Sequence, residues 1–189
     1  MRKLLFASIL VLFALTASAA TLSVTPVSQT IEIGGLASVI VSIDHTVGDF
    51  DIVLGWDPTV VTPLGSDLFP QLGVPGVEAD FGWVYGASEI NAWEVSLLDV
   101  TSLLALQPGP TTNLFSVTFK GVAAGVSPIS LAVYAIGDEY GEAIEPLTLA
   151  PGEIRVKLGG TAEIPEPATI TLLAAGLAAL LTVKAVRRR

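Results

Sequence analysis

The sequence predicts an all-β fold: a two-sheet antiparallel β-sandwich of about nine strands with one short helix, set between a signal peptide and a C-terminal transmembrane helix. Three observations carry that reading. Between positions 21 and 158 apolar residues recur at every second position, the period of a strand with one packed face. Turn-forming residues interrupt these runs at short intervals and no helical period alternates with them, which points to stacked antiparallel sheets. Two uncharged apolar runs stand apart from this pattern at the two ends and supply much of the mean hydropathy of +0.70.

The first element, residues 1–20, reads Met1-Arg2-Lys3, then an apolar run from Leu4 to Ala14, then Ala17-Ser18-Ala19-Ala20. A positive start, an apolar centre and a small-residue end are the three parts of a secretory signal peptide. Signal peptidase admits small side chains at its minus-three and minus-one subsites, so either Ala17 with Ala19 or Ser18 with Ala20 fits. Cleavage is expected after Ala19 or Ala20.

The strands follow in order through the domain at residues 21–158. Leu22 and Val24 alternate, then Ile31 and Ile33, then Val39, Val41 and Ile43. Phe50, Ile52, Leu54 and Trp56 share one face, with Asp49, Asp51, Val53 and Gly55 opposite. Phe81, Trp83 and Tyr85 continue the pattern, followed by Ile90 to Leu98 and by Phe115, Val117 and Phe119. Ile129, Leu131, Val133 and Ala135 come next, and Ile154, Val156 and Leu158 close the series. Gly34-Gly35, Asp57-Pro58, Pro75-Gly76, Pro108-Gly109-Pro110, Gly125 and Pro151-Gly152 punctuate the runs. One stretch breaks the period: Asp99 to Gln107 opens with capping residues, is rich in helix formers and stops before Pro108, which predicts a short helix.

Residues 159–164, beginning Gly159-Gly160, read as a flexible linker. The tail, residues 165–189, contains sixteen uncharged residues from Ala168 to Val183, then Lys184 and the basic end Arg187-Arg188-Arg189. As a helix the uncharged run spans about 24 Å, a little short of the ~30 Å hydrocarbon core, and Lys184 can snorkel so that 168–186 serve as the transmembrane helix. Lys184, Arg187, Arg188 and Arg189 act as a stop-transfer cluster held in the cytoplasm, as Arg2 and Lys3 are at the start, so the intervening domain lies outside.

Charge and composition narrow the function. Residues 21–166 carry all eighteen acids of the chain against Lys120, Arg155 and Lys157. So acidic a segment repels phosphate backbones, and no nucleic-acid partner is expected. The absence of cysteine excludes disulfides, thiol nucleophiles and thiolate metal sites. His45 is the sole histidine, directly after Asp44 at a strand end, and no Gly-x-Ser-x-Gly elbow accompanies it, so it reads as a solvated turn residue. Asp49 with Asp51, and Glu89 with Glu94, are the carboxylate pairs a glycosidase would need; the first pair reads better as the outer face of its strand. Gly137-Asp138-Glu139-Tyr140-Gly141-Glu142 offers three carboxylates within five residues, a possible calcium loop without EF-hand spacing, and reads better as a polar hairpin turn. Trp56, Trp83 and Trp93 could stack on sugars, although Trp56 and Trp83 fall on apolar faces. No catalytic residue and no metal ligand is assigned.

Pro165-Glu166-Pro167 immediately precedes the Ala/Leu/Gly-rich apolar run and its arginine end, and this three-part order resembles the PEP-CTERM sorting signal of Gram-negative bacteria. The two prolines hold the backbone extended at the membrane surface, a shape a peptidase can grip. The resemblance implies that a membrane-embedded exosortase recognises Pro165, Glu166 and Pro167 and removes the helix during transfer to the exterior. In the domain, Val47-Gly48-Asp49-Phe50-Asp51-Ile52-Val53-Leu54-Gly55-Trp56-Asp57-Pro58-Thr59-Val60-Val61 resembles the strand and aromatic-Asp-Pro corner of cohesin-like domains. Ile90 to Leu98, Leu103-Leu104-Ala105-Leu106-Gln107-Pro108 and Phe115 to Phe119 are similar to stretches of such domains fused to PEP-CTERM tails. That likeness implies a cohesin-like jelly roll. Cohesins bind dockerin modules, and no contact residue is carried over from them.

These readings lead to an exported protein, membrane-anchored as a precursor and then at the cell surface or in the extracellular matrix, with signal peptidase and exosortase as processing partners. Its domain is expected to be a non-catalytic structural or protein-binding module. A carbohydrate-binding module and a hydrolase of extracellular polysaccharides are the rival readings.

Overall fold

The structure, a computed structural model, describes residues 19–159. The signal peptide up to Ser18, most of the linker, Pro165, Glu166 and Pro167, the 168–186 helix and its basic end lie outside the described residues. Within them the chain forms β1 (Ala20–Thr25), β2 (Ser28–Glu32), β3 (Leu36–Ile43), β4 (Asp49–Gly55), β5 (Val61–Leu68), β6 (Ala79–Tyr85), β7 (Glu89–Ser96), α1 (Val100–Leu106), β8 (Thr112–Gly121), β9 (Gly125–Gly137), β10 (Leu147–Ala150) and β11 (Gly152–Lys157). A five-stranded sheet in the order β10-β1-β3-β8-β5 faces a six-stranded sheet in the order β2-β11-β9-β4-β7-β6.

Alternation decides which side chains meet between the sheets. Leu22, Val24, Val39, Val41, Ile43, Phe115, Val117 and Phe119 point inward from one sheet, and Phe50, Ile52, Leu54, Ile90, Ile129, Ile154 and Val156 from the other, all buried. Each contributes about 1.5 to 3 kcal/mol relative to exposure. Aromatic rings tie the layers together. Phe50 stacks on Phe115 at 5.9 Å, Trp56 meets Phe119 edge-on at 5.4 Å, and Trp83 meets Phe115 edge-on at 5.8 Å.

Two pairings depart from the antiparallel expectation. β1 runs parallel to β10 and β2 parallel to β11, while the other ladders are antiparallel. The cause is the route of the two ends of the domain. β1 continues into β2 by passing from one sheet to the other at Pro26 and Val27, and β10 continues into β11 in the same direction at Pro151. The two crossings lie against each other: Glu153 N–H donates to the Val27 carbonyl at 2.9 Å. A side chain on Gly152 would start 2.9 Å from Val24 Cγ1 and 3.1 Å from the Val27 oxygen, so glycine lets the crossings touch.

Eleven strands stand where about nine were expected. β5 carries Pro63 and Gly65 around a register shift, which interrupts its period, and β10 is four residues long, too short for its Leu147 and Leu149 to mark a strand. In β9 a register shift opposite Asp51 and Ile52 makes Tyr134 the extra residue. Beyond it the faces exchange: Ala135, expected inward, is exposed, and Ile136 is buried instead. Phe81 and Tyr85, expected to be packed with Trp83, are 37% and 54% exposed. β6 is the edge of the larger sheet, and five strands do not fully cover six. The Tyr85 hydroxyl instead meets the Ser66 hydroxyl of β5 at 2.6 Å, joining the two sheet edges. Ile33 and Leu158 lie just past their strand ends and are exposed.

The short helix is α1, as expected. Asp99 caps it, with one carboxylate oxygen accepting from the N–H groups of Thr101 and Ser102 at 3.0 and 3.1 Å and the other from the Ser102 hydroxyl at 2.8 Å. These hydrogen bonds, the Ser102 hydroxyl first, hold the Asp99 carboxyl below its ordinary value. Gln107 ends the helix and is buried. Its amide donates to the carbonyls of Val47 and Gln71 at 2.7 and 3.1 Å, while its oxygen accepts from Val47 N–H at 2.9 Å and lies 3.0 Å from the Thr112 hydroxyl oxygen. One side chain thereby pins the helix to the loops at that end of the sandwich.

Glu94 is the anomaly of the core. It sits inward between Phe50 of β4 and Phe81 of β6, wholly buried, and neither carboxylate oxygen has a hydrogen-bond partner. Burial raises its carboxyl from 4.5 to about 7. In the unfolded chain the group ionises near its ordinary value, so the folded state gives up stability as pH rises from about 4.5, and the loss levels off above about 7. The decrement is expected to be on the order of 3 kcal/mol in chemical unfolding, and Glu94→Gln is expected to flatten the profile. A wild-type profile already flat across that window would overturn the account. Gln107→Leu, which strands the Val47 N–H and the carbonyls of Val47 and Gln71, is expected to cost about 3 kcal/mol in the same measurement.

Candidate functional site

The two sandwich faces that look outward differ in chemistry. On β1, β3 and β8 the outward positions include Ser23, Ser38, Ser116 and Thr118, a largely hydroxyl surface, while Ser42 in the same series is buried. On β6, β7, β4 and β9 the outward positions form three cross-strand rows. Asp80, Val95, Asp49 and Gly137 make the first, Gly82, Trp93, Asp51 and Ala135 the second, and Val84, Asn91, Val53 and Ala132 the third. Apolar side chains that the strand period leaves exposed, among them Val84 and Val95 at 62% and 43%, stand beside three carboxylates. An apolar face bordered by charge is the composition of a binding surface.

Trp93 is the centre of this face. Its indole lies across Gly82 of the neighbouring strand, and a methyl group at Gly82 would overlap ring atoms Nε1, Cε2 and Cζ2. One side of the ring is therefore covered by the Gly82 backbone, and the residue as a whole remains half-buried. Next to it, Asn91 Nδ2 donates to Asp51 Oδ1 at 2.5 Å and reaches the Ile52 carbonyl at 3.4 Å, which fixes the orientation of both side chains. Tyr134, the bulged residue of β9, is 76% exposed at the border of the face. Partial burial, then the nearby Asp138 carboxylate, raise the Asp49 carboxyl above its ordinary value.

The other candidate residues fall apart as sites. Glu89 is exposed on the outward face while Glu94 is in the core, because five positions of separation on one strand put them on opposite sides. His45 is exposed, and its carbonyl accepts from the Thr112 hydroxyl at 2.8 Å. In the Gly137–Glu142 loop, Asp138 Oδ1 accepts from the N–H groups of Tyr140 and Glu142 at 2.8 and 2.9 Å, so this carboxylate closes a turn. Among the described residues no group of three histidine, cysteine or acidic side chains converges as a metal site. Trp56 and Trp83 pack in or against the core. At the Asp57-Pro58 corner, the Asp57 carboxylate accepts from the hydroxyl and N–H of Thr59 at 2.6 and 2.9 Å and is held below its ordinary value by those bonds. Ala20 opens β1, and Ala19 directly precedes it. No helix among the described residues is long and apolar enough to cross a membrane.

Gly82→Val is expected to lift the indole off its support, at a cost of about 1 kcal/mol. The check is acrylamide quenching of tryptophan emission, which should increase while the far-ultraviolet β signature is kept; unchanged quenching would show that the ring does not rest there.

Residues 163–189 match the family model described as PEP-CTERM protein-sorting motif. No curated protein matches the chain. Solved structures of similar fold include a chain of the Coh-OlpA–Doc918 complex, a type I cohesin–dockerin complex from Clostridium thermocellum, at TM-score 0.60 and 14% identity over 74% of this chain and 100% of that one. The seventh ScaB type I cohesin from Pseudobacteroides cellulosolvens matches at 0.60 and 14% over 77% of this chain and 96% of that one. The non-cellulosomal cohesin from the archaeon Archaeoglobus fulgidus matches at 0.57 and 15% over 79% and 99%. The chain thus carries a PEP-CTERM protein-sorting motif at its C-terminal end, behind a β-sandwich of cohesin-like fold.

Proposed function

We propose that this chain is an exported, exosortase-processed protein of the cell surface or extracellular matrix, and that its sandwich is a non-catalytic module that binds a protein partner through the outward face of β6, β7, β4 and β9. The observation that carries the reading is the sorting motif at 163–189 behind an acidic, cohesin-like domain. Export is further supported by the signal-peptide pattern of residues 1–20 and by basic clusters at both ends that favour the same orientation. A protein partner is supported by the exposed apolar side chains around Trp93, and by the fold it shares with proteins whose complexes with dockerins are solved. The carbohydrate-binding reading keeps one outward tryptophan of three, and the hydrolase reading loses the Glu89–Glu94 pair.

Intact mass of the protein from cells with and without exosortase checks the first half. The expected result is a chain shortened near Pro165-Glu166-Pro167 only where the enzyme is present; equal masses would overturn it. Trp93→Asp checks the second half. It is expected to leave processing intact and to lower cross-linking to a surface protein several-fold, and unchanged cross-linking would overturn the assignment of this face.

A further inference from the structure

Of the four strands that edge the two sheets, three carry a feature that discourages pairing with another chain. β5 is broken by Pro63 and Gly65, β10 has four residues, and β2 has five and ends in Glu32. β6 runs for seven residues without proline or lysine, and Asp80 is its one charge. The bonds at its two ends show which groups face its free side. The Glu78 carbonyl accepts from Leu97 N–H at 2.7 Å and Gly86 N–H donates to the Glu89 carbonyl at 2.8 Å, so the even-numbered residues address β7. Backbone groups alternate along a strand, and those of Ala79, Phe81, Trp83 and Tyr85 therefore point away from the sheet. On that side the Ala79 carbonyl accepts from Gly76 N–H at 2.7 Å, and Phe81 N–H donates to the exposed Asp80 carboxylate at 3.0 Å. The Phe81 carbonyl and the N–H and carbonyl groups of Trp83 and Tyr85 have no partner among the described residues. Phe81 and Tyr85 also project past the cover of the smaller sheet.

We propose that the free edge of β6 pairs with β6 of a second copy of this chain, antiparallel about a two-fold axis, so that two larger sheets join into one of twelve strands. The register that overlaps all seven residues centres on Gly82. Phe81 then stands opposite Trp83 of the second copy on the inward side, an aromatic cross-strand pair made twice, and the open groups of Phe81 and Trp83 supply its hydrogen bonds. On the outward side Gly82 meets itself without side chains to hold the strands apart, and Asp80 faces Val84. Charge is what makes a second copy an acceptable occupant. Two such acidic domains repel wherever carboxylates meet, but in this register no two do: Glu78, just before the strand, falls opposite Gly86. Phe81 N–H leaves the Asp80 carboxylate for the new carbonyl, an exchange of one exposed bond for another. Two edges of this length come near the lower limit of about 1,000 Å² for a specific interface, so the pair is weak and reversible. Each Trp93 ring lies over its own Gly82, and pairing brings the two candidate faces side by side.

Light scattering of the full chain in detergent, over a concentration series, is expected to give a mass that rises from one chain toward two. Val84 is 62% exposed on the outward side, so its charge can be changed without touching the core. Val84→Asp sets like charges opposite Asp80 at both ends of the paired segment and is expected to weaken association at least about five-fold, whereas Val84→Lys sets opposite charges there and is expected to strengthen it. A mass independent of concentration, or the same dissociation constant in all three proteins, would overturn the proposal. The register has its own check, because the chain contains no cysteine. Positions 80 and 84 lie about 13 Å apart along one strand, too far to be bridged. Across the two-fold they form a pair with Cα atoms about 4.5 Å apart, within disulfide reach. Mild oxidation of the full chain carrying both Asp80→Cys and Val84→Cys is expected to yield a covalent dimer, and either substitution alone is expected to yield none. Absence of the dimer from the double variant, or equal cross-linking of the single ones, would sink the β6 pairing.

Discussion

Apart from backbone ladders, the contact between two inward sheet faces is the main force available to this fold. With no cysteine anywhere in the chain, covalent bracing is excluded, and the apolar side chains at alternate strand positions must supply the cohesion. Phe50, Phe115 and Phe119 are the largest members of that layer, and Trp56 and Trp83 meet it edge-on. Every other feature takes its position from this layer. The aspartates of β4 are driven outward because their neighbours on the strand are driven inward, and Trp93 lies on the outward face because Ala92 and Glu94 do not.

Glu94 shows the limit of that rule. A carboxyl in the inward series carries the strand period without the chemistry that normally accompanies it, and burial without a partner makes it the weak point of the layer at neutral and higher pH. It lies on the strand that also carries Trp93, so the core and the outward face share one support. Hydrogen bonding serves the ends of the sandwich, where Gln107 and Asp99 fasten the helix, more than its middle.

Strand parity made much of this legible in advance. The faces of β3, β4 and β8 follow directly from their alternation, and Asp99 and Pro108 bracket the helix because a cap and a breaker act locally. Strands whose place is set by distant partners were not legible. β5, with Pro63 and Gly65, and β10, with four residues, are strands only because β8 and β1 lie beside them. The exchange of faces at Tyr134 depends on a register shift against β4 that leaves no local signature. Of the candidate face, Asp49, Asp51 and Trp93 can be placed by counting along their own strands, whereas Gly82 as a seat for the indole and Asn91 as the partner of Asp51 require the alignment of three strands.

The two sheet crossings have a mechanical consequence. The chain enters the domain at the start of β1 and leaves it at the end of β11, and the ladders joining these segments are the parallel pairs β1–β10 and β2–β11. Tension applied between Ala20 and Lys157 therefore drags two co-directional ribbons past each other along their length. The hydrogen bonds of both ladders then bear load together instead of opening one after another. Such an arrangement resists stretching better than a hairpin pulled apart from its open end.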